Sequence, residues 1–180
     1  ISLIGDKSIS HRSIIFGSIA EGVSEFSNVL ISGDTTATIE IFNSLGVNIE
    51  VKEHNTLVIH GVGLNGLSQS KQALDAKSSG TTARLLTGLL ARQNFSSELI
   101  GSSQLSKRPM GRVINLLTEH GSGIKSNEGY LPIKFEQTES AFNAINTIVP
   151  SAQVKSALII ASLYHEEPTV ITEDIPTRDH

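Results

Sequence analysis

Residues 5–12 read Gly-Asp-Lys-Ser-Ile-Ser-His-Arg, and an apolar run over 13–20 follows at once. This places the cations Lys7 and Arg12 and the hydroxyls of Ser8 and Ser10 at a helix entrance. A helix ordinarily favours Asp or Glu in its first turn, because cations there oppose the dipole. A bound anion removes the conflict. Free backbone N–H groups and the positive dipole end receive it, hydroxyls donate to its oxygens, and Lys or Arg neutralise it. Gly80 and Thr81 stand in the same relation to Arg84, and Ser151 to Lys155, while Lys107 and Arg108 add charge ahead of another helical run. The chemistry suggested is the binding of phosphate or carboxylate where helix entrances and cations converge.

Each of these residues also has a plainer role. Ser8 and Ser151 suit N-caps. Gly80 suits a tight turn. Arg84 and Lys155 serve equally as structural or solvated cations inside helices. Lys107-Arg108-Pro109 reads as a charged loop with Pro at a first helical turn. For Lys7 and Arg12 the adverse charge order favours the anion.

Other chemistries find no support. With no cysteine among 180 residues, disulfides, thiolate catalysis and Cys-type zinc sites are excluded; this fits a reducing compartment. A phosphate-binding P-loop fails because Asp6 stands where its second Gly belongs. Histidines at 11, 54, 60, 120, 165 and 180 show no metal-ligand spacing, and no Gly-x-Ser-x-Gly occurs. The acids Asp34, Asp75 and Asp174 are dispersed, and none marks itself as a general base. Net charge is −4, so nothing attracts nucleic acid in bulk and any anion site must be local. No apolar run approaches the roughly 20 residues needed to span a membrane. There is no signal-peptide pattern. The sequence opens on Ile1 without Met and stops at His180 inside a motif, which reads as a fragment of a longer protein.

The elements that must position these residues form an internal repeat. The segments beginning at Asp6, Lys77 and Val149 each place small polar residues, then a cation, then an apolar helical stretch. Arg12 aligns with Arg84 at an offset of 72, and Arg84 with Lys155 at 71; Ser8, Gly80 and Ser151 then coincide. Between them, residues 35–51 and 111–126 each read as an amphipathic helix stopped by Gly46 or Gly121. Ile39, Phe42 and Leu45 line one buried face, and Val113, Leu116 and Leu117 the other. Strands are expected over 24–29, 48–53, 56–61, 97–101, 123–126, 130–135 and 168–173. The unit is helix, strand, helix, strand, strand, with two complete copies and a third that stops after its first helix and strand. The fold class is α/β, one lobe over 1–180.

At residues 5–12 the pattern becomes specific. It resembles the opening motif of the 5-enolpyruvylshikimate-3-phosphate synthase family, Gly-Asp/Ser-Lys-Ser-x-Ser-His/Asn-Arg. Residues 78–84 (SSGTTAR), 107–113 (KRPMGRV), 150–163 (PSAQVKSALIIASL) and 177–180 (TRDH) match further family motifs in order and approximate spacing. The resemblance implies an N-terminal-half fragment: one lobe of a two-lobe enolpyruvyl transferase fold, built from β-α-β-α-β-β units with helices packed inside, the second lobe lying outside this chain.

The implied reaction moves the enolpyruvyl group of phosphoenolpyruvate to the 5-hydroxyl of shikimate 3-phosphate and releases phosphate, in aromatic amino acid biosynthesis, without metal or organic cofactor. By motif, shikimate 3-phosphate falls to Lys7, Ser8, Arg12, Ser151, Gln153 and Arg178, and phosphoenolpyruvate to Lys7, Gly80, Arg108 and Gln153. The family's catalytic acid and base residues belong to the other lobe, so none is expected here. The resemblance further implies a cytoplasmic, monomeric parent whose partners are these two small molecules, with no nucleic acid and no membrane. Two departures stand out. Ile4 replaces the usual Pro before Gly5, and Lys77-Ser78 replaces the Gly-Asn common before the Gly-Thr motif. A UDP-N-acetylglucosamine enolpyruvyl transferase lobe and a non-catalytic phosphate-binding module are the alternative readings. The first wants a Lys-Asn opening and a catalytic Cys loop, neither of which occurs.

Overall fold

The computed structural model describes residues 4–137, 144–147 and 150–177, with the side chains of 144–147 excepted. The first unit runs α1 (Lys7–Ile19), β1 (Glu21–Phe26), α2 (Gly33–Ser44), β2 (Asn48–Lys52) and β3 (Thr56–Val62). The second runs β4 (Leu74–Asp75), α3 (Gly80–Leu90), β5 (Ser97–Ile100), α4 (Gly111–Glu119), β6 (Gly123–Asn127) and β7 (Tyr130–Glu136). The third contributes β8 (Ala144–Thr147), α5 (Ala152–Ser162) and β9 (Val170–Glu173).

Each unit has its own sheet. β1, β3 and β2 form an antiparallel three-stranded sheet in that order. The second sheet is ordered β4-β5-β7-β6, with β4 parallel to β5 and the other pairs antiparallel. β8 and β9 pair in parallel, as β4 and β5 do. The match between the β4-β5 and β8-β9 pairs shows the repeat in three dimensions.

The alternation of helices and short strands follows the sequence reading, with three differences. A leading strand precedes α3 and α5; a strand of two or four residues is too short to display the alternation by which strands are recognised. β1 begins at Glu21 rather than at 24, where Glu21 pairs with Val62, and it ends at Phe26 because Asn28 turns the chain in the left-handed region (φ 55°). The N-cap of α1 is Asp6, not Ser8: its carboxylate accepts from Ile9 N at 2.8 Å. Asp6 therefore supplies the negative charge that the dipole requires, one residue ahead of the first turn. The two glycine stops hold as read, with Gly46 and Gly121 at φ 93° and 86°.

The helices pack inward, and α3 is their hub. It packs against α1, α2, α4 and α5. Its side chains from Ala83 through Leu90, Arg84 excepted, are buried. The faces read from the sequence are also buried: Ile39, Phe42 and Leu45 on α2 and its C-cap, Val113 and Leu117 on α4, with Leu116 partly covered. At the α3–α5 crossing Gly88 has no side chain to interpose, and a Cβ there would lie 2.0 Å from Ala157 O. Backbone touches backbone, which fixes the two helices in register.

This contact sets a test. Alanine has a helix propensity about 1 kcal/mol better than glycine, yet Gly88→Ala must push α5 away. The expected outcome is a loss of about 1–3 kcal/mol, measured by urea unfolding; a variant as stable as the parent would contradict the contact.

Candidate functional site

The entrance of α1 holds two cations in different states. Lys7, the first helical residue, donates to Asp34 Oδ2 at 3.0 Å from the half-exposed surface. Arg12 is deeper. Its Nη1 donates to Ser8 O at 3.1 Å, and its Nη2 crosses to α5 and donates to Ser156 Oγ at 2.6 Å. Burial lowers the Arg12 pKa from its ordinary value, with Asp6 opposing the shift; a guanidinium remains protonated regardless. The Ser8 hydroxyl has no partner among the described residues, and Ser8 binds only through its carbonyl. Ser10 is structural: its hydroxyl donates to Asp6 O at 2.7 Å and accepts from Leu30 N at 2.8 Å.

A second cluster forms at the entrance of α3. Ser79 caps the helix, its hydroxyl accepting from Thr82 N at 3.1 Å, and Gly80 follows as the first helical residue. A Cβ on Gly80 would lie 2.9 Å from Arg84 Nη1 and 3.4 Å from Arg108 Nη1. Two guanidinium groups thus share the space above Gly80, which a side chain would make them yield. Arg84 donates to Gln153 Oε1 and to Pro109 O, both at 3.1 Å. Gln153 Nε2 donates in turn to Thr81 Oγ1 at 3.1 Å, which ties the start of α5 to the start of α3. Burial, then the charges of Arg108 and Arg112, depress the Arg84 pKa. Ser151 caps α5, accepting from Val154 N at 3.4 Å, and with Arg84, Arg112 and Gln153 it borders a cavity of about 330 Å³.

The described residues thus bring Gly80, Arg108 and Gln153 together, with Ser151 beside them and Arg12 reaching α5 from the other side. Arg84, weighed above as a structural cation, is at the centre of the cluster. Lys155 has a different occupation: it pairs with Glu173 at 2.8 Å, and Glu173 also accepts from Thr177 Oγ1 at 2.8 Å. Lys107 lies exposed in a 3-10 turn over Leu105–Lys107. Arg178 lies outside the described residues. Among the described residues no three His, Asp or Glu side chains are grouped to hold a metal, and no helix is long and apolar enough to cross a membrane.

Residues 1–180 match the family described as EPSP synthase (3-phosphoshikimate 1-carboxyvinyltransferase). The chain belongs to the EPSP synthase family. A 3-phosphoshikimate 1-carboxyvinyltransferase of Ruthia magnifica subsp. Calyptogena magnifica is 52% identical over 178 residues, covering 98% of this chain and 40% of the relative. That of Hydrogenovibrio crunogenus is 47% identical over 182 residues, covering 100% of this chain and 41% of the relative. A solved EPSP synthase structure from Acinetobacter baumannii is similar at TM-score 0.94 and 40% identity, over 99% of this chain and 41% of that one. The chain thus spans about two fifths of the length of these relatives.

Lys77 has φ 52°, in the left-handed region that glycine enters freely. Lys77 is held there by its backbone N–H donating to Asp75 Oδ1 at 2.7 Å, and its ammonium pairs with Asp75 at 3.2 Å.

One feature of this EPSP synthase lobe was missed in the sequence. His11, Thr38, Thr82 and Ser79 are all fully buried. His11 Nδ1 meets Thr38 Oγ1 at 2.8 Å, Thr38 meets Thr82 Oγ1 at 2.8 Å, and Thr82 donates to Ser79 Oγ at 2.7 Å. Thr82 and Thr38 also reach the backbone carbonyl of Asp34, at 3.3 and 3.4 Å, so each hydroxyl has a second acceptor. His11 Nε2 is buried without a partner among the described residues. The relay ties α1 and α2 to the cap of α3, so it holds the two entrances together. A pattern of one His and two Thr on three helices leaves no local spacing to read.

Burial lowers the His11 pKa to about 4. The unfolded chain binds a proton near pH 6.5, where the folded one does not. Stability is therefore full above pH 6.5 and falls as pH drops toward 4, by about 3 kcal/mol. Urea unfolding at pH 7 and pH 4.5 of the parent and of His11→Asn measures it: the parent should lose more than the variant, and equal losses would refute a neutral buried His11.

Proposed function

We propose that the protein of which this chain is a part transfers the enolpyruvyl group of phosphoenolpyruvate to the 5-hydroxyl of shikimate 3-phosphate, releasing phosphate. The observation that carries the reading is the convergence of Arg84, Arg108 and Gln153 over Gly80, with no carboxylate pairing either arginine among the described residues. Charged groups held by neutral acceptors stay available to an incoming anion.

In this reading Lys7 touches both substrates. Ser8 and Arg12 bind shikimate 3-phosphate, and Ser151 and Arg178 hold its phosphate. Gly80 lines the phosphoenolpyruvate pocket, Arg108 binds that phosphate, and Gln153 contacts both ligands. The hydroxyl adds to C2 of phosphoenolpyruvate as its methylene carbon gains a proton; the tetrahedral adduct then expels phosphate and gives up a proton from the new methyl group. The lobe contributes by positioning and by neutralising charge. The proton-transfer residues belong to the rest of the protein, so residues 1–180 act as one substrate-binding lobe, two repeat units and part of a third, competent to bind shikimate 3-phosphate but not to turn over. The reading sets the protein in the cytoplasm, single-copy, with these two metabolites as its partners and neither nucleic acid nor membrane.

Calorimetric titration of the chain with shikimate 3-phosphate tests the binding half. Saturable binding is expected, about tenfold weaker in Arg12→Ala, since hydrogen bonds to a charged group contribute about 1.5–3 kcal/mol. Binding that Arg12→Ala leaves untouched would sink the assignment of Arg12. In the full-length protein Lys7→Ala should abolish most transfer activity; a normal rate would sink its role.

A further inference from the structure

Arg112 is a cation for which neither the sequence pattern nor the proposed function has a use. It is the second residue of α4, whose first turn carries no acid, so it opposes the dipole as Lys7 does on α1. On α1, Asp6 and Asp34 relieve that conflict; on α4 no carboxylate does so, because Arg112 makes no ion pair among the described residues. Arg112 also stands close enough to Arg84 to depress its pKa, as Arg108 does. Arg84 is thus flanked by two like charges, and its own hydrogen bonds all go to carbonyl oxygens: Gly80, Pro109 and Gln153.

Arg112 and Arg84 share the cavity of about 330 Å³. Met110 and Val113 line it as apolar residues, and Ser151 and Gln153 line it from the start of α5. No acidic residue lines it. Arg84 and Arg112 line this cavity without a counter-charge, and Arg108 stands beside Arg84 over Gly80; holding these like charges close costs energy in the empty protein, and a dianion recovers that cost on binding.

We propose that Arg112 is a further substrate-binding residue, a second guanidinium for the phosphate of phosphoenolpyruvate, reaching it from the α4 side while Arg108 reaches it from the loop. The proposal rests on the functional reading above. Arg112 is exposed and packs no core, so its loss leaves the fold intact. A planar fork suits a phosphate oxygen pair, which explains arginine over lysine at this position.

Steady-state kinetics of the full-length protein, with each substrate varied in turn, tests it. Arg112→Gln should raise the KM for phosphoenolpyruvate about tenfold, leave the KM for shikimate 3-phosphate within about twofold, and leave the melting temperature no lower than the parent's. An unchanged KM for phosphoenolpyruvate overturns the proposal, as does a rise confined to shikimate 3-phosphate. Arg108→Gln is run alongside. If it too leaves phosphoenolpyruvate unaffected, the functional reading falls; if it weakens phosphoenolpyruvate and Arg112→Gln does not, only the role of Arg112 falls.

Discussion

Arg84 is a half-buried cation held by three carbonyl oxygens and no carboxylate. Carbonyls satisfy the donors of a guanidinium without cancelling its charge. Much of the lobe follows from that constraint. Gly80 leaves open the space that two guanidinium groups occupy above it. Gln153 must reach from α5 to offer its oxygen, and it spends its amide N–H on Thr81 to stay in place. Pro109 must present its carbonyl just before α4 begins. The result is positive charge kept in a partly desolvated place on a chain whose net charge is −4.

The scaffold that allows this is polar where it matters and apolar elsewhere. Leu85, Leu86, Leu89 and Leu90 bury the body of α3. At its first turns, by contrast, hydroxyls and one imidazole form a chain of hydrogen bonds from α1 through α2 to the α3 cap. A buried network of that kind is stable only when nearly every member is satisfied. It therefore specifies one arrangement of the three helices, where a purely apolar contact would tolerate sliding.

Much of the architecture was legible in the sequence because it is periodic. Ile39, Phe42 and Leu45 declare a helical face, Gly46 and Gly121 declare its end, and offsets of 72 and 71 align the three entrances. Legibility failed where the determining partner is distant in sequence. The cap of α1 is the exception: Asp6 and Ser8 are both cap-forming residues within one turn, and Asp6 takes the N–H of Ile9 only three residues on. Lys155 looked like Arg12 and Arg84, yet Glu173 claims it. Arg84 could not be told from a solvated cation until Gln153 and Pro109 were beside it. The strands β4 and β8 escaped because pairing with β5 and β9, rather than their own residues, makes them strands.

Gly88 shows how three copies of one unit come to differ. At the repeat offsets its counterparts are Phe16 on α1 and Ile159 on α5, which are 40% and 42% exposed. The middle copy has given up its side chain there to let another backbone in, while the outer copies keep large apolar ones turned outward. Divergence has been free at the packing surface and constrained at the helix entrances, where Ser8, Gly80 and Ser151 all remain small. A duplicated unit can thus assign one copy to be the axle and the others to be the rim, while all three keep the same business end.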